Sequence, residues 1–420
     1  MRPNRFVRLA VALLAPLLVA GVVVAQAGTA FAGTGHHGHV LYVSARAKQW
    51  NSDRSCRSAA FKTIQSAVNA APAGGTVVVC PGTYHEQVVI AKPLTLTGKQ
   101  ATIDETGVTP TFGVGTQTIF AAVVMGSSWI DFSGFRVQHA QGEGILAAGL
   151  SGPVSGIVIS RNAVVHNDLG GGVPPKSTYF QCAAQGQVPG DCGEGVHFAG
   201  GVAYSTIRDN FIADNSGGVL LSDDVGATHD NVVADNVVTG NTADCGITVP
   251  GHNPNALDSA GVPQPSVAGV YRNVIRDNVV TGNGVKGEGA GVLFAVAGPG
   301  TASYDNLVEG NYIAGNGLAG VTMHAHGPAT HQDLNGNVIV GNSIGKNNLD
   351  GDTLDGPPGP SDLKTTGVLV FSGGTPVAVT VAHNHIFDNF FGIWLSQPVK
   401  AFGLRTNKFS HVTIHISKGH

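Results

Sequence analysis

The chain has 420 residues, of which 60 are glycine and only 12% are charged. Val, Ile, Asn, Gly and Thr outweigh the strong helix formers, which excludes a mainly helical protein and favours strands and tight turns. A net charge of −4 provides no basic excess for nucleic acid or an anionic membrane surface.

Arg2, Arg5 and Arg8 start the chain, residues 9–24 are apolar, and Ala30-Phe31-Ala32 offers a small-x-small cleavage pattern. These are marks of a secretory signal, and the apolar run is short for a membrane span. Residues 1–32 are therefore expected to be a signal peptide, leaving a secreted, monomeric chain without a membrane anchor. Residues 33–60 form a lead-in containing Gly35-His36-His37-Gly38-His39. Residues 61–156 are expected to hold a capping helix and the first coils. There Phe61, Ile64 and Val68 have helical spacing, Pro72 and Gly74-Gly75 stop it, and 76–80 and 94–97 read as strands.

From 157 to 420 one pattern repeats: Ile or Val, two variable residues, Asn, an apolar residue, then a second Asn. Copies include Ile159-Asn162-Val164-Asn167, Ile207-Asn210-Ile212-Asn215, Val233-Asn236-Val238-Asn241 and Ile275-Asn278-Val280-Asn283, ending at Leu404-Asn407-Phe409. Asn210 and Asn236 are 26 residues apart, and Asn384 and Asn407 are 23 apart. That period is one coil of a parallel β-solenoid, with longer intervals holding insertions. The apolar residues should point inward. Each Asn should take the left-handed backbone of a corner and hydrogen-bond up the stack. A second signature follows, as in Gly195-Val196-His197-Phe198, Gly218-Val219-Leu220-Leu221 and Gly246-Ile247-Thr248-Val249. It reads as one parallel sheet with Val219, Leu221, Ile247 and Val249 inside and Leu220 and Thr248 outside. A solenoid end exposes unpaired strand edges, so a helical plug belongs at the first coil.

The run Phe61-Lys-Thr-Ile-Gln-Ser-Ala-Val-Asn-Ala-Ala, with Pro81-Gly-Thr-Tyr-His-Glu-Gln-Val-Val-Ile and Lys92-Pro-Leu-Thr-Leu-Thr-Gly after it, resembles the opening segment of the pectin-lyase-like superfamily. The Asn-rich coils resemble its broad repeat group, which includes periplasmic copper-site maturation proteins. The resemblance implies an all-β, right-handed parallel β-helix with a short N-terminal capping helix. It does not imply one activity, because this fold carries lyases, hydrolases, esterases and non-enzymes. Gly82-Thr-Tyr84-His-Glu86 resembles an element of pectin methylesterases whose catalytic partners have no counterpart here, so Tyr84 and Glu86 are read as a structural turn. Ser222-Asp223-Asp224 with Gly251-His252 resembles part of the polygalacturonase site, without that family's other elements.

Five cysteines in an exported chain imply disulfides. Cys56 and Cys80 bracket the start of the mature domain, and Cys182 and Cys192 bracket a loop. Those pairings are expected, with Cys245 left over, although other connectivities remain open.

Alignment of the coils places His197, Thr248 and Trp394 on one outward row, and Ser222, His324 and Phe371 on the next, with Asp223, Asp224, His252 and His326 just beyond. Insertions at 168–192, 253–270 and 348–365 flank the same sheet and could wall a groove. Asp223, Asp224 and His252 are the catalytic candidates, since positioned carboxylates and imidazoles transfer protons. His197, Ser222, Thr248, His324, His326, Phe371 and Trp394 are the substrate-binding candidates. Asp350-Gly-Asp352-Thr-Leu-Asp355 has oxygen ligands suited to calcium, without a complete metal-loop signature. No dedicated transition-metal site is expected. The expected function is hydrolysis or elimination of a polysaccharide. A non-catalytic glycan-binding or surface protein and an extracytoplasmic copper-handling protein are the alternatives.

Overall fold

A computed structural model describes residues 40–47, 53–168, 193–251, 253, 258–262, 268–285, 289–325, 331–350 and 364–419. The expected signal peptide, the His36–His39 tract, Cys182, Cys192, His252, His326, Asp352 and Asp355 lie outside the described residues. Helix α1 (Ile64–Ala70) is the one α-helix among the described residues, and nearly all other regular structure is strand. The helix begins at Ile64, later than the Phe61 spacing suggests, because Thr63 caps it by accepting from Ser66 N–H. Phe61 instead bridges to Val43 as an isolated strand residue. The Glu86 carboxylate accepts the N–H groups of Ile64 at 2.7 Å and Gln65 at 2.8 Å. The Tyr84 hydroxyl donates to the Cys80 carbonyl at 2.9 Å. Glu86 thus fastens the plug, and Tyr84 ties the turn back to the ends of the strands at Val43 and Cys80.

Eleven described strands, from Val88–Ile90 to Ile414–Lys418, form one wholly parallel front sheet. Twenty-one strands flanking the asparagines build a second parallel sheet, and five two-residue strands from Val154–Ser155 to Ser303–Tyr304 build a narrow third. An antiparallel hairpin, Gly113–Val114 with Gln117–Thr118, is the exception among the described pairings. The core is one continuous column of Val, Ile, Leu and Phe running inside the coils. Val219, Leu221, Ile247 and Val249 are all fully buried in it, as the alternation requires.

The asparagines form three ladders: one through Asn162, Asn210, Asn236, Asn278, Asn311 and Asn342, a second through Asn167, Asn215 and Asn241, and a third through Asn231, Asn273 and Asn306. Asn236 shows the unit. Its amide donates to Asn278 Oδ1 at 3.0 Å and to the Ile207 carbonyl of the preceding coil at 2.9 Å. Its backbone N–H also donates to Asn278 Oδ1, at 3.0 Å. The corner expectation needs correcting, however. None of these asparagines has a positive φ; the residue before each does, as at Asp209, Asp235, Asp277, Arg161 and Asp230. The chain turns at the preceding residue so that the Asn side chain points inward and can reach the next coil.

Cys56 and Cys80 are disulfide-bonded, and Cys245 is free and buried. The outward face of the front sheet departs from expectation. Leu220 and Thr248 point outward, yet they are 3% and 5% exposed. Apolar clusters cover much of this face, one around Leu146 and Ala199 with Phe112 and Val114 packed on it, another around Leu369 and Trp394.

Two outcomes test this description. Asn278→Ala removes a ladder acceptor and donor together and leaves the buried Asn236 N–H without its acceptor. It should cost roughly 2–5 kcal/mol in chemical denaturation, whereas Val279→Ala, one residue on and exposed, should cost under about 1 kcal/mol. Burial pushes the Glu105 carboxyl from its ordinary 4.5 up to about 7. A raised carboxyl pKa means the folded chain holds its proton more tightly than the unfolded chain, so this contribution declines as pH rises from about 4.5 to about 7. Glu105→Gln should therefore gain stability over the parent between pH 4 and pH 8, by up to roughly 3 kcal/mol.

Candidate functional site

Strand register decides which outward side chains meet. Leu146 pairs with His197, His197 with Leu220, and Ala199 with Ser222 across the strands Glu143–Ala147, Glu194–Ala199 and Gly217–Ser222. His197 is thus flanked along its row by two leucines, and its ring turns toward the strand ends, where polar groups stand. Its Nδ1 lies 2.9 Å from Glu143 Oε1, and its Nε2 lies 2.8 Å from Ser222 Oγ. Ser222 Oγ donates to Asp224 Oδ2 at 2.6 Å. Glu143 Oε2 accepts the N–H of Glu194 at 3.1 Å. The result is a continuous carboxylate–imidazole–hydroxyl–carboxylate chain crossing three adjacent coils. His197 is 1% exposed and Ser222 is fully buried, whereas the Asp224 side chain is 11% exposed. Asp224 is thus the most exposed member of the chain.

Hydrogen counting fixes what this chain can do. A serine hydroxyl has one proton, and with Asp224 ionised it goes to Asp224 Oδ2. His197 Nε2 must then carry the hydrogen that faces Ser222. Nδ1 faces the Glu143 carboxylate. A proton passed from Ser222 to Asp224 can be replaced by transfer from Nε2 to Ser222. The arrangement can deliver a proton to Asp224 or take one from it.

Glu143 and Glu194 escaped the sequence reading. Both precede the glycine of the strand motif, as Glu143-Gly144-Ile145 and Glu194-Gly195-Val196, and Ile145 pairs with Val196. Other coils carry Gly217, Cys245, Ala290 and Ala319 at that place. Acids in two successive coils at an otherwise small or apolar position were the available signal. Gly217 also makes room, since a Cβ there would stand 3.3 Å from Glu194 Oε1.

The other candidates are placed as follows. The Asp223 carboxylate is fully buried and accepts Asn253 N–H at 3.0 Å and Gly269 N–H at 2.7 Å. It joins the two ends of the 253–270 insertion. Thr248 is buried on the outward face. His324 is fully buried, edge-on to Phe371 at 6.4 Å. Trp394 is packed with Leu369 and Phe391, with Phe371 against them. The open aromatic row expected from the sequence is closed here, because these rings pack on one another. His252 and His326 fall outside the described residues.

Glu143, Glu194 and His197 offer three ligand atoms within 4.8 Å of one another. The set does not fit copper. Cu(I) selects thiolate and thioether sulfur, and Cu(II) favours nitrogen-rich sets. Here two donors are carboxylates, and both ring nitrogens of the imidazole already serve Glu143 and Ser222. Burial pushes the Cys245 thiol well above its ordinary pKa, and its sulfur accepts the Ala290 N–H at 3.2 Å.

Residues 154–317 match the family model described as periplasmic copper-binding protein (NosD), and residues 266–409 match the model described as right handed beta helix region. The chain is a right-handed parallel β-helix. No curated protein matches it in sequence. Among solved structures it is similar to an alginate lyase from Paenibacillus sp. str. FPU-7, at 13% identity over 84% of this chain and 96% of that one, with a TM-score of 0.47. The Azotobacter vinelandii mannuronan C-5 epimerase AlgE4 A-module is similar at 15% identity over 85% and 94%, TM-score 0.44. Pectate lyase Pel9A is similar at 15% over 82% and 78%, TM-score 0.42. Among the described residues no helix is long and apolar enough to cross a membrane.

The two aspartates of the pair should separate experimentally. Asp223→Ala strips the acceptor from two buried N–H groups and should cost roughly 2–5 kcal/mol, read as a lower urea midpoint and faster proteolysis within 253–270. Asp224→Asn, at the solvent end, should change the midpoint by less than about 1 kcal/mol.

Proposed function

We propose that this protein is an extracytoplasmic carbohydrate-active β-helix protein in which Asp224 exchanges protons with a polysaccharide. Glu143, His197 and Ser222 position that carboxylate and set its protonation. The observation that carries the reading is the continuous hydrogen-bonded chain from buried Glu143 to Asp224. A chain of four polar groups set among apolar clusters is costly to the fold unless all its members are satisfied, and it confers no packing advantage over the leucines around it. Proton transfer is the chemistry that such a chain serves.

The substrate class follows from charge. Binding a uronate carboxylate calls for cationic partners, and the aligned outward rows of the front sheet carry no Lys or Arg among the described residues. That favours a neutral glycan, and hydrolysis over elimination. The Cys56–Cys80 disulfide and the match to a periplasmic family support the extracytoplasmic setting. The family match also favours a second reading, metal handling, for which the donor set at His197 is poor.

The test is incubation of the purified chain with neutral glucans, xylans, pectins and alginate, followed by reducing-end release and unsaturated-uronate absorbance. Hydrolysis of a neutral glycan is expected. Asp224→Asn should lower turnover by roughly 10²–10⁴-fold. His197→Gln should lower turnover and flatten the pH profile while the urea midpoint stays within a few kcal/mol. Turnover that survives Asp224→Asn overturns the assignment. Absence of any turnover, with stoichiometric copper retained after dialysis, overturns the reading in favour of metal handling.

A further inference from the structure

The row of corner residues beside the third sheet runs Trp129, Gly156, Tyr204, Asp230, Arg272 and Asp305, aligned by the pairings Val158 with Asp131, Ser155 with Ala203, Ala203 with His229, His229 with Tyr271 and Tyr271 with Tyr304. Every member has a positive φ. Gly and Asp suit that left-handed backbone, and a bulky aromatic residue there is an outlier. Trp129 (φ 61°) and Tyr204 (φ 49°) are such outliers, and they are also the most exposed large hydrophobic residues described, at 60% and 61%. Neither is retained for core packing. Strain held at an exposed position points to function.

The surroundings make this a shaped surface. The Trp129 indole lies over the backbone of Gly156, where a Cβ would stand 2.4 Å from a ring atom, so the glycine clears its seat. Tyr204 stands edge-on to His229 at 5.8 Å, and His229, Tyr271 and Tyr304 stack behind it at 4.9 Å intervals. That stack buttresses Tyr204 from one side. Further along the row, Arg272 makes two hydrogen bonds to Asp230, at 2.9 and 2.6 Å, and lies over the Tyr271 ring at 4.7 Å. The corner thus offers two exposed rings two coils apart, about 10 Å, followed by a planar pair of hydrogen-bonding groups whose charges cancel.

We propose that this corner is a second glycan-binding surface, taking a neutral polysaccharide segment along the solenoid axis with sugar faces on Trp129 and Tyr204 and hydroxyls on Asp230 and Arg272. Apolar sugar faces match aromatic rings, sugar hydroxyls match a carboxylate–guanidinium pair, and a row whose one cation, Arg272, is already paired with Asp230 and is followed by Asp305 disfavours an anionic ligand. The site adds substrate retention to the proposed function and rests on that reading only for the class of ligand.

The experiment uses the full chain and the Trp129→Gly and Tyr204→Gly variants, titrated with soluble glucan and xylan by calorimetry and by protection of tryptophan fluorescence from acrylamide. Glycine suits the left-handed corner, so both variants should melt no lower than the parent. Each should bind roughly two- to tenfold more weakly, and Tyr204→Gly, which keeps the Trp129 indole, should show weaker glycan protection of tryptophan from acrylamide than the parent. Val279→Ala, at an exposed position outside this row and outside the proposed proton-transfer site, should bind as the parent does. Undiminished glycan binding by the double variant overturns the proposal, as does melting well below the parent, which would make the rings structural. Preference for an acidic polysaccharide such as alginate, or no glycan binding by the parent, also overturns it.

Discussion

Everything in this molecule depends on the asparagine ladder. Parallel strands pair through evenly spaced backbone bonds that are alike at every second residue, so the backbone alone tolerates a slip. An inward asparagine does not. Asn236 finds acceptors for both amide hydrogens and a donor for its oxygen only when Asn210 lies directly on one side and Asn278 on the other. Buried amides left unmatched are expensive, so the ladder holds each coil in one register. Because register decides which side chains share a row, it is also what brings His197 within reach of Glu143 in the coil before and Ser222 in the coil after.

The corners complete that arrangement. A residue with positive φ precedes most ladder asparagines, usually Asp, Gly, Arg or His, and it turns the chain at the corner. Outward chemistry therefore varies at the corners without disturbing the column inside, and it is there that Trp129 and Tyr204 stand. The same division separates the two faces of the front sheet. The inward face is uniformly apolar. The outward face is a mosaic of apolar clusters interrupted by the polar chain from Glu143 to Asp224. Its low-dielectric flanks strengthen the hydrogen bonds of that chain and confine its protons to it.

The Asp223-Asp224 pair shows how adjacent identical residues part company. Asp223 is at the strand end facing the insertion and ties Asn253 to Gly269. Asp224 is one residue on and meets Ser222. One carboxylate holds the loop base and the other ends the hydrogen-bonded chain that starts at Glu143.

By itself the sequence determined the fold class, the coil period, the capping helix and the rows of the front sheet, and it offered Cys56–Cys80 as one of several open pairings. These follow from short-range patterns: asparagines at coil spacing, strict alternation in Gly-apolar-x-apolar, and a capped helix before a Pro and two glycines. The outward row containing His197, Leu220 and Thr248 is recovered residue for residue. What only the tertiary structure decided is what covers those rows and which acids reach across them. Glu143 and Glu194 are 51 residues apart, with residues 168–192 between them in the chain, and no periodicity brings them together; their coils are stacked, and only stacking places Glu143 against His197. Likewise the burial of Thr248, His324 and Trp394 arises from packing on the outside of the coils. The alternation that sorts inside from outside carries no information about a second layer.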